Sequence, residues 1–147
     1  MGDFDQVTVK LDGILEIGII RARWLSNKDK SLSKSDPYVI VKLGKTRLCQ
    51  TQTIANEDCP EWNYHRTIQI HGRCLQSTVF TIEVWDEDHL TPDDFLGQLQ
   101  FPLSVIMNQG IHGIYDLKQR KKNETVSGDI TLDIQYSHQL QPKDPYQ

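Results

Sequence analysis

Residues 78–97 read TVFTIEVWDEDHLTPDDFLG. In the first half, Phe80, Ile82 and Val84 fall on one side of an extended chain, and Thr81, Glu83 and Trp85 on the other. That is the period-two pattern of a strand with one buried face. The second half changes character at once. Asp86, Glu87, Asp88, Asp93 and Asp94 put five carboxylates into nine positions, just before the apolar pair Phe95–Leu96. Like charges near 4 Å at a protein surface repel by up to ~4 kcal/mol. A strand that empties into such a loop predicts a β fold with a cation-seeking end.

The same alternation recurs in both directions from this stretch. Ile130, Leu132, Ile134 and Tyr136 share one face of GDITLDIQY. Val39, Val41 and Leu43 share one in YVIVKLG, and Leu15, Ile17 and Ile19 one in GILEIGII. TRLCQTQTI, EWNYHRTIQI, LGQLQFPL and GIYDLKQ supply further strand-like runs, and polar, turn-rich pieces such as SNKDKSLSKSDP and KKNETVSG separate them. Short strands with polar connectors predict an all-β, eight-stranded antiparallel Greek-key sandwich. Residues 103–112 leave room for one helical turn. The domain is expected over 13–137, after an extension, linker or extra edge strand at 1–12 and before a tail at 138–147.

Composition narrows the function. The 147-residue chain has 16 basic and 20 acidic residues, for a net charge of −4. It has no bulk basic field for nucleic acid, so attraction to an anionic surface must be local or created by a bound cation. Three cysteines without a tight spacing suit a reducing, cytoplasmic compartment better than a disulfide framework. No apolar run approaches the ~20 residues of a membrane span. Gly-rich phosphate loops, nucleophile elbows and zinc helices are absent from the sequence, so no enzyme is expected. His65, His71 and Cys74 do not follow a ligand spacing. Trp24, Trp62 and Trp85 are expected to pack in the core or at its rim.

The acidic stretch suits a hard cation. Side chains at i and i+2 of an extended segment point the same way, so Asp86 and Asp88 can approach one ion, with Asp94 folding back after Thr91–Pro92. Ca²⁺ takes six to eight oxygens in flexible geometry, whereas Mg²⁺ demands a strict octahedron and Zn²⁺ prefers Cys or His. An EF-hand is excluded: Leu90, Thr91 and Gly97 stand where that loop requires an oxygen ligand, glycine and glutamate. A second acidic pair, Asp29 and Asp36, lies in the loop before Pro37.

SDPYVIVKLG (35–44), CPEWNYHRTIQI (59–70) and FTIEVWDEDHLTPDDFLG (80–97) together resemble the C2 domain, the calcium- and phospholipid-binding β-sandwich, over residues 13–136. The resemblance implies calcium loops at one end, with type II topology favoured over type I from the C-terminal GDITLDIQYS. It implies Asp36, Asp86, Asp88 and Asp94 as Ca²⁺ ligands, with Thr91 and the carbonyls of Lys28 and Glu87 as accessory ligands. Asp29 completes the set, although it precedes Asp36 by seven positions where the family pattern has six. Asp93 is expected to face solvent.

Such a site implies an electrostatic switch. Up to five negative charges repel anionic lipid until bound Ca²⁺ offsets them. Leu32, His89 and Leu90 are then the expected apolar tips, and Lys30 and Lys34 the headgroup contacts. Lys42, Lys45 and Arg47 lie where relatives carry a polybasic strand. The expected function is calcium-dependent targeting of a parent protein to an anionic phospholipid membrane, as a peripheral association. The alternative is a calcium-independent C2 scaffold that binds other protein domains.

Overall fold

The computed structural model describes residues 7–27 and 33–139. Eight strands and one short helix lie among them: β1 (Thr8–Arg23), β2 (Pro37–Leu43), β3 (Thr46–Gln50), β4 (Glu61–Leu75), β5 (Val79–Asp86), β6 (Asp94–Pro102), α1 (Leu103–Asn108), β7 (Ile111–Asp116) and β8 (Asp129–His138). They form two four-stranded antiparallel sheets, β4-β1-β8-β7 and β3-β2-β5-β6.

The alternation decides which faces meet. Phe80, Ile82 and Val84 of β5, Val39 and Val41 of β2, and Ile130, Leu132 and Ile134 of β8 are all buried between the sheets. Each such side chain contributes roughly 1.5–3 kcal/mol relative to exposure. On β1, Leu15, Ile17 and Ile19 point inward; a register shift between Ile19 and Arg21 then changes the parity, and Ala22 becomes the buried residue. The stretch VTVKLD is the first part of β1, where Thr8–Asp12 pairs with Leu75–His71 of β4. β3 ends at Gln50, where the Thr51 hydroxyl rather than a backbone carbonyl accepts the Val39 N–H, at 2.9 Å. The helical turn at 103–108 buries Leu103 and Ile106, and Gly110 ends it at φ +76°.

Strand direction determines which loops share an end. β1, β5 and β7 finish at the end where β2, β4, β6 and β8 begin: Pro37 pairs with Asp86, Asp86 with Asp94, and Arg23 with Asp129. The connections 51–60, 87–93 and 117–128, with the described parts 24–27 and 33–36 of the β1–β2 connection, therefore gather at one end of the sandwich. The β2–β3 turn at Gly44–Lys45 lies at the other.

Candidate cation-binding loops

Asp36, Asp86 and Asp94 come from three neighbouring strand ends. Asp86 closes β5 and pairs with Pro37 on one side and Asp94 on the other; adjacent strands lie ~4.8 Å apart. Asp86 is 4 % exposed, and its Oδ1 accepts the Asp36 N–H at 2.8 Å. The Glu87 N–H donates to the Asp36 carbonyl at 2.9 Å. Asp36 Oδ1 also accepts the Asn56 N–H at 2.6 Å, which ties the 51–60 connection to the same point. Asp94 is half-buried, and no hydrogen bond or ion pair holds its carboxylate among the described residues.

Asp88 is committed differently. Its Oδ1 accepts the N–H groups of Leu90 (2.9 Å) and Thr91 (3.3 Å), and its Oδ2 accepts the Thr91 hydroxyl at 2.6 Å. This is an Asx turn, in which a short carboxylate satisfies the loop's own backbone. The Thr91 hydroxyl, then the two amides, favours the ionised form and holds Asp88 below the ordinary carboxylate range. Asp93 does not face solvent as expected. It accepts the Tyr38 hydroxyl through Oδ2 and the Asp88 N–H at 3.0 Å through Oδ1. Burial, then Asp93, pushes the Tyr38 phenol above its ordinary value.

The donor set at this end is oxygen throughout, the chemistry Ca²⁺ prefers. Among the described residues, no three His, Cys, Asp or Glu groups converge closely enough to hold a metal ion. Asp36 and Asp88 aim oxygens at backbone amides instead. Lys28, Asp29, Lys30 and Leu32 lie outside the described residues. Leu90 is 95 % exposed at the tip of the 87–93 loop, with His89 exposed beside it. Lys34 is exposed at this end, its Nζ 3.8 Å from Asp58. Lys42 pairs with Glu83 at 3.1 Å, Arg47 donates to Gln50 at 2.7 Å, and Lys45 sits in the turn at the far end.

Two features of this end escaped the sequence. Trp24 is 67 % exposed, against the expectation that it packs. Trp62 (3 % exposed) and the half-buried Trp85 do pack. The chain turns at Trp24 with φ +58°, and Leu25 takes the buried place instead. The second feature is the 117–128 connection. Lys118 exchanges backbone hydrogen bonds with Gln98 on the free edge of β6. Arg120 then lies over the Phe95 ring, 3.9 Å from its centroid, and 5.4 Å from that of Trp85. Glu124 accepts both the Arg120 guanidinium (2.7 and 3.1 Å) and the backbone N–H groups of Arg120 and Lys121. The guanidinium bond, chiefly, lowers Glu124 to about 2. The run KQRKK was the available signal for a charged loop; its attachment to two rings was not readable.

The C2 domain family profile matches residues 13–117, and the chain belongs to that family. It is 35 % identical over 133 residues to the Rho GTPase-activating protein gacEE of Dictyostelium discoideum, covering 88 % of this chain and 22 % of that protein. It is 36 % identical over 126 residues to the Multiple C2 and transmembrane domain-containing protein 1 of Rattus norvegicus, covering 86 % and 13 %. The chain therefore spans about a fifth or less of either relative. Among solved structures, a calcium-bound pair of C2 domains from Extended-Synaptotagmin 2 matches with a TM-score of 0.69 and 29 % identity, over 88 % of this chain and 47 % of that one. A single C2 domain of plant Extended Synaptotagmin 1 shares the fold: TM-score 0.69, 22 % identity, 89 % and 98 % covered. No helix among the described residues is long and apolar enough to cross a membrane.

Proposed function

We propose that this chain is a calcium-dependent module for anionic phospholipid membranes, peripheral and cytoplasmic, with no catalysis of its own. The observation that carries this is the line of Asp36, Asp86 and Asp94 at three adjacent strand ends, with Asp88 two residues past the end of β5. Family membership and the likeness to a calcium-bound C2 structure support it. In this reading Asp36, Asp86, Asp88 and Asp94 hold the ion with the Glu87 carbonyl, joined by Asp29 and the Lys28 carbonyl. With Ca²⁺ bound, the end loses its negative field and lipid phosphate or carboxylate oxygens can fill open coordination positions. Leu90, with His89 beside it, then meets the headgroup layer, and Lys34 adds a cation.

A calcium-independent scaffold for protein partners is the second reading. It is favoured by the oxygens already spent on backbone amides, that of Asp36 on the Asn56 N–H of the 51–60 connection and that of Asp88 on its own turn. Sedimentation with phosphatidylserine vesicles separates the two. Calcium-dependent pelleting that a chelator reverses is the expected result; no calorimetric heat and no thermal shift at millimolar Ca²⁺ would sink the switch. Within the loop, Asp88→Asn is expected to reduce calcium heat far more than Asp93→Asn, and equal losses would refute the ligand assignment.

A further inference from the structure

We infer that the β7–β8 connection carries a second membrane contact, formed by Lys118, Lys121 and Lys122, which binds the anionic headgroups of a phospholipid surface. This rests on the membrane-binding reading above and adds a surface to it.

Three observations lead here. First, the connection flanks the acidic end. It starts beside Gln98 on the free edge of β6 and reaches Phe95 through Arg120. Phe95 adjoins Asp94, and Trp85, the other ring under Arg120, adjoins Asp86. Second, the charges divide into two groups. Arg120 is spent on Glu124 and the two rings, so it holds the loop in shape. Lys118, Lys121 and Lys122 are exposed and have no ion pair among the described residues. They are a net surplus of three positive charges on a prearranged loop, so little conformational entropy is lost when a surface binds them. Third, the loop is clasped to the exposed aromatic at this end. The Ser127 hydroxyl donates to the Trp24 carbonyl at 2.8 Å, and the Ser26 hydroxyl to the Thr125 carbonyl at 3.5 Å. Exposed Trp is the side chain best suited to a headgroup layer, and the C-terminal part of the same connection, at Ser127, is tied to it.

The acidic and basic loops then act in sequence. Without a cation, the carboxylates offset the field of the three lysines. Once that negative charge is neutralised, the lysine field stands alone and reinforces attraction to an anionic leaflet. The β2–β3 cations cannot substitute, since Lys42 is paired with Glu83, and Lys45 and Arg47 lie toward the far end, at the β2–β3 turn.

The test compares the wild-type chain with Lys118→Ala/Lys121→Ala/Lys122→Ala, and with Lys42→Ala/Lys45→Ala/Arg47→Ala, which removes equal charge elsewhere. Vesicles of phosphatidylcholine with and without phosphatidylserine are the probe, in calcium and in chelator, and calcium binding is measured separately without vesicles. Each lysine near an anionic leaflet is worth about fivefold in affinity, so the first variant is expected to lose on the order of 100-fold. Its calcium heat stays within about twofold of wild type, and the second variant binds vesicles nearly as wild type does. Equal vesicle binding by wild type and the first variant overturns the inference and leaves the calcium switch standing. Equal losses in both variants overturn it too, because net charge alone would explain them. Wild-type pelleting in chelator that the first variant loses upholds the lysine surface and refutes the calcium dependence. No wild-type pelleting in any condition refutes both.

Discussion

Two loops at the same end of the sandwich solve one problem in opposite ways. In 87–93, the Asp88 carboxylate accepts two backbone amides and a hydroxyl from its own turn. In 118–124, the Glu124 carboxylate accepts two backbone amides and a guanidinium from its own turn. Both carboxyls are held below their ordinary range. The difference is the third partner. A hydroxyl brings a dipole and leaves the charge of Asp88 in place; a guanidinium cancels the charge of Glu124. One folded turn therefore ends with surplus negative charge, beside Asp86 and Asp94, and the other with surplus lysines. Shape and charge are set separately at this end, and the two neighbouring loops carry surplus charge of opposite sign.

The largest effect is expected at Asp86, which belongs to the scaffold as well as to the acidic line. Asp86→Ala strands the Asp36 N–H and is expected to cost about 1–3 kcal/mol in urea denaturation. Asp86→Asn keeps an acceptor, so it should lose calcium heat but little stability. If the two variants are equally stable, the Asp36 contact is not what holds the strand ends together. Next is Tyr38→Phe, which removes the tie to Asp93 and is expected to cost about 0.5–1.5 kcal/mol by the same measurement.

Arg120→Ala should leave Glu124 with its two backbone amides alone and weaken the turn. Amide exchange at Arg120 and Lys121 is expected to accelerate on the order of tenfold, with the strands unchanged. Unchanged exchange would mean that Glu124 and the rings do not hold this turn. The smallest effect is a titration. Glu124 falls from an ordinary 4.5 to about 2 in the folded chain, so its contribution is complete above 4.5 and is lost as pH falls through about 2. Carboxyl carbon shifts in NMR should report that low value in the wild type and a return toward 4.5 in Arg120→Ala. His112 runs with the opposite sign. Its hydrogen bond to Asp133, then that to Gln135, raises it above 6.5, so its cross-strand tie is present below 6.5 and fades as pH rises through the raised value.

The sandwich was legible because burial writes a period of two into the chain. Phe80, Ile82, Val84, Ile130, Leu132 and Ile134 all face inward as their alternation requires. The family resemblance located the acidic end through Asp36, Asp86 and Asp94, which do share one sheet end. What stayed hidden depends on contacts distant in sequence. Asp93 reads as solvent-facing because nothing nearby announces Tyr38, 55 residues away. Trp24 reads as a packed residue because an indole is large and apolar, and only the left-handed turn reveals Leu25 as the buried residue in its place. KKNETVSG reads as an ordinary polar connector because the partner rings of Arg120 lie on β5 and β6.

Trp85 has one further consequence. It meets the Phe95 ring edge-on at a centroid distance of 5.5 Å, lies near the Arg120 guanidinium, and is the residue just before Asp86. An indole's emission responds to the charge and polarity around it. This one is placed between the acidic strand ends and the basic loop, so the chain has an optical probe at the junction of its two oppositely charged loops. Of the other two tryptophans, Trp62 is deep in the core and Trp24 is in solvent. With both replaced by phenylalanine, the remaining signal would follow cation arrival on one side and headgroup contact on the other, without an attached dye.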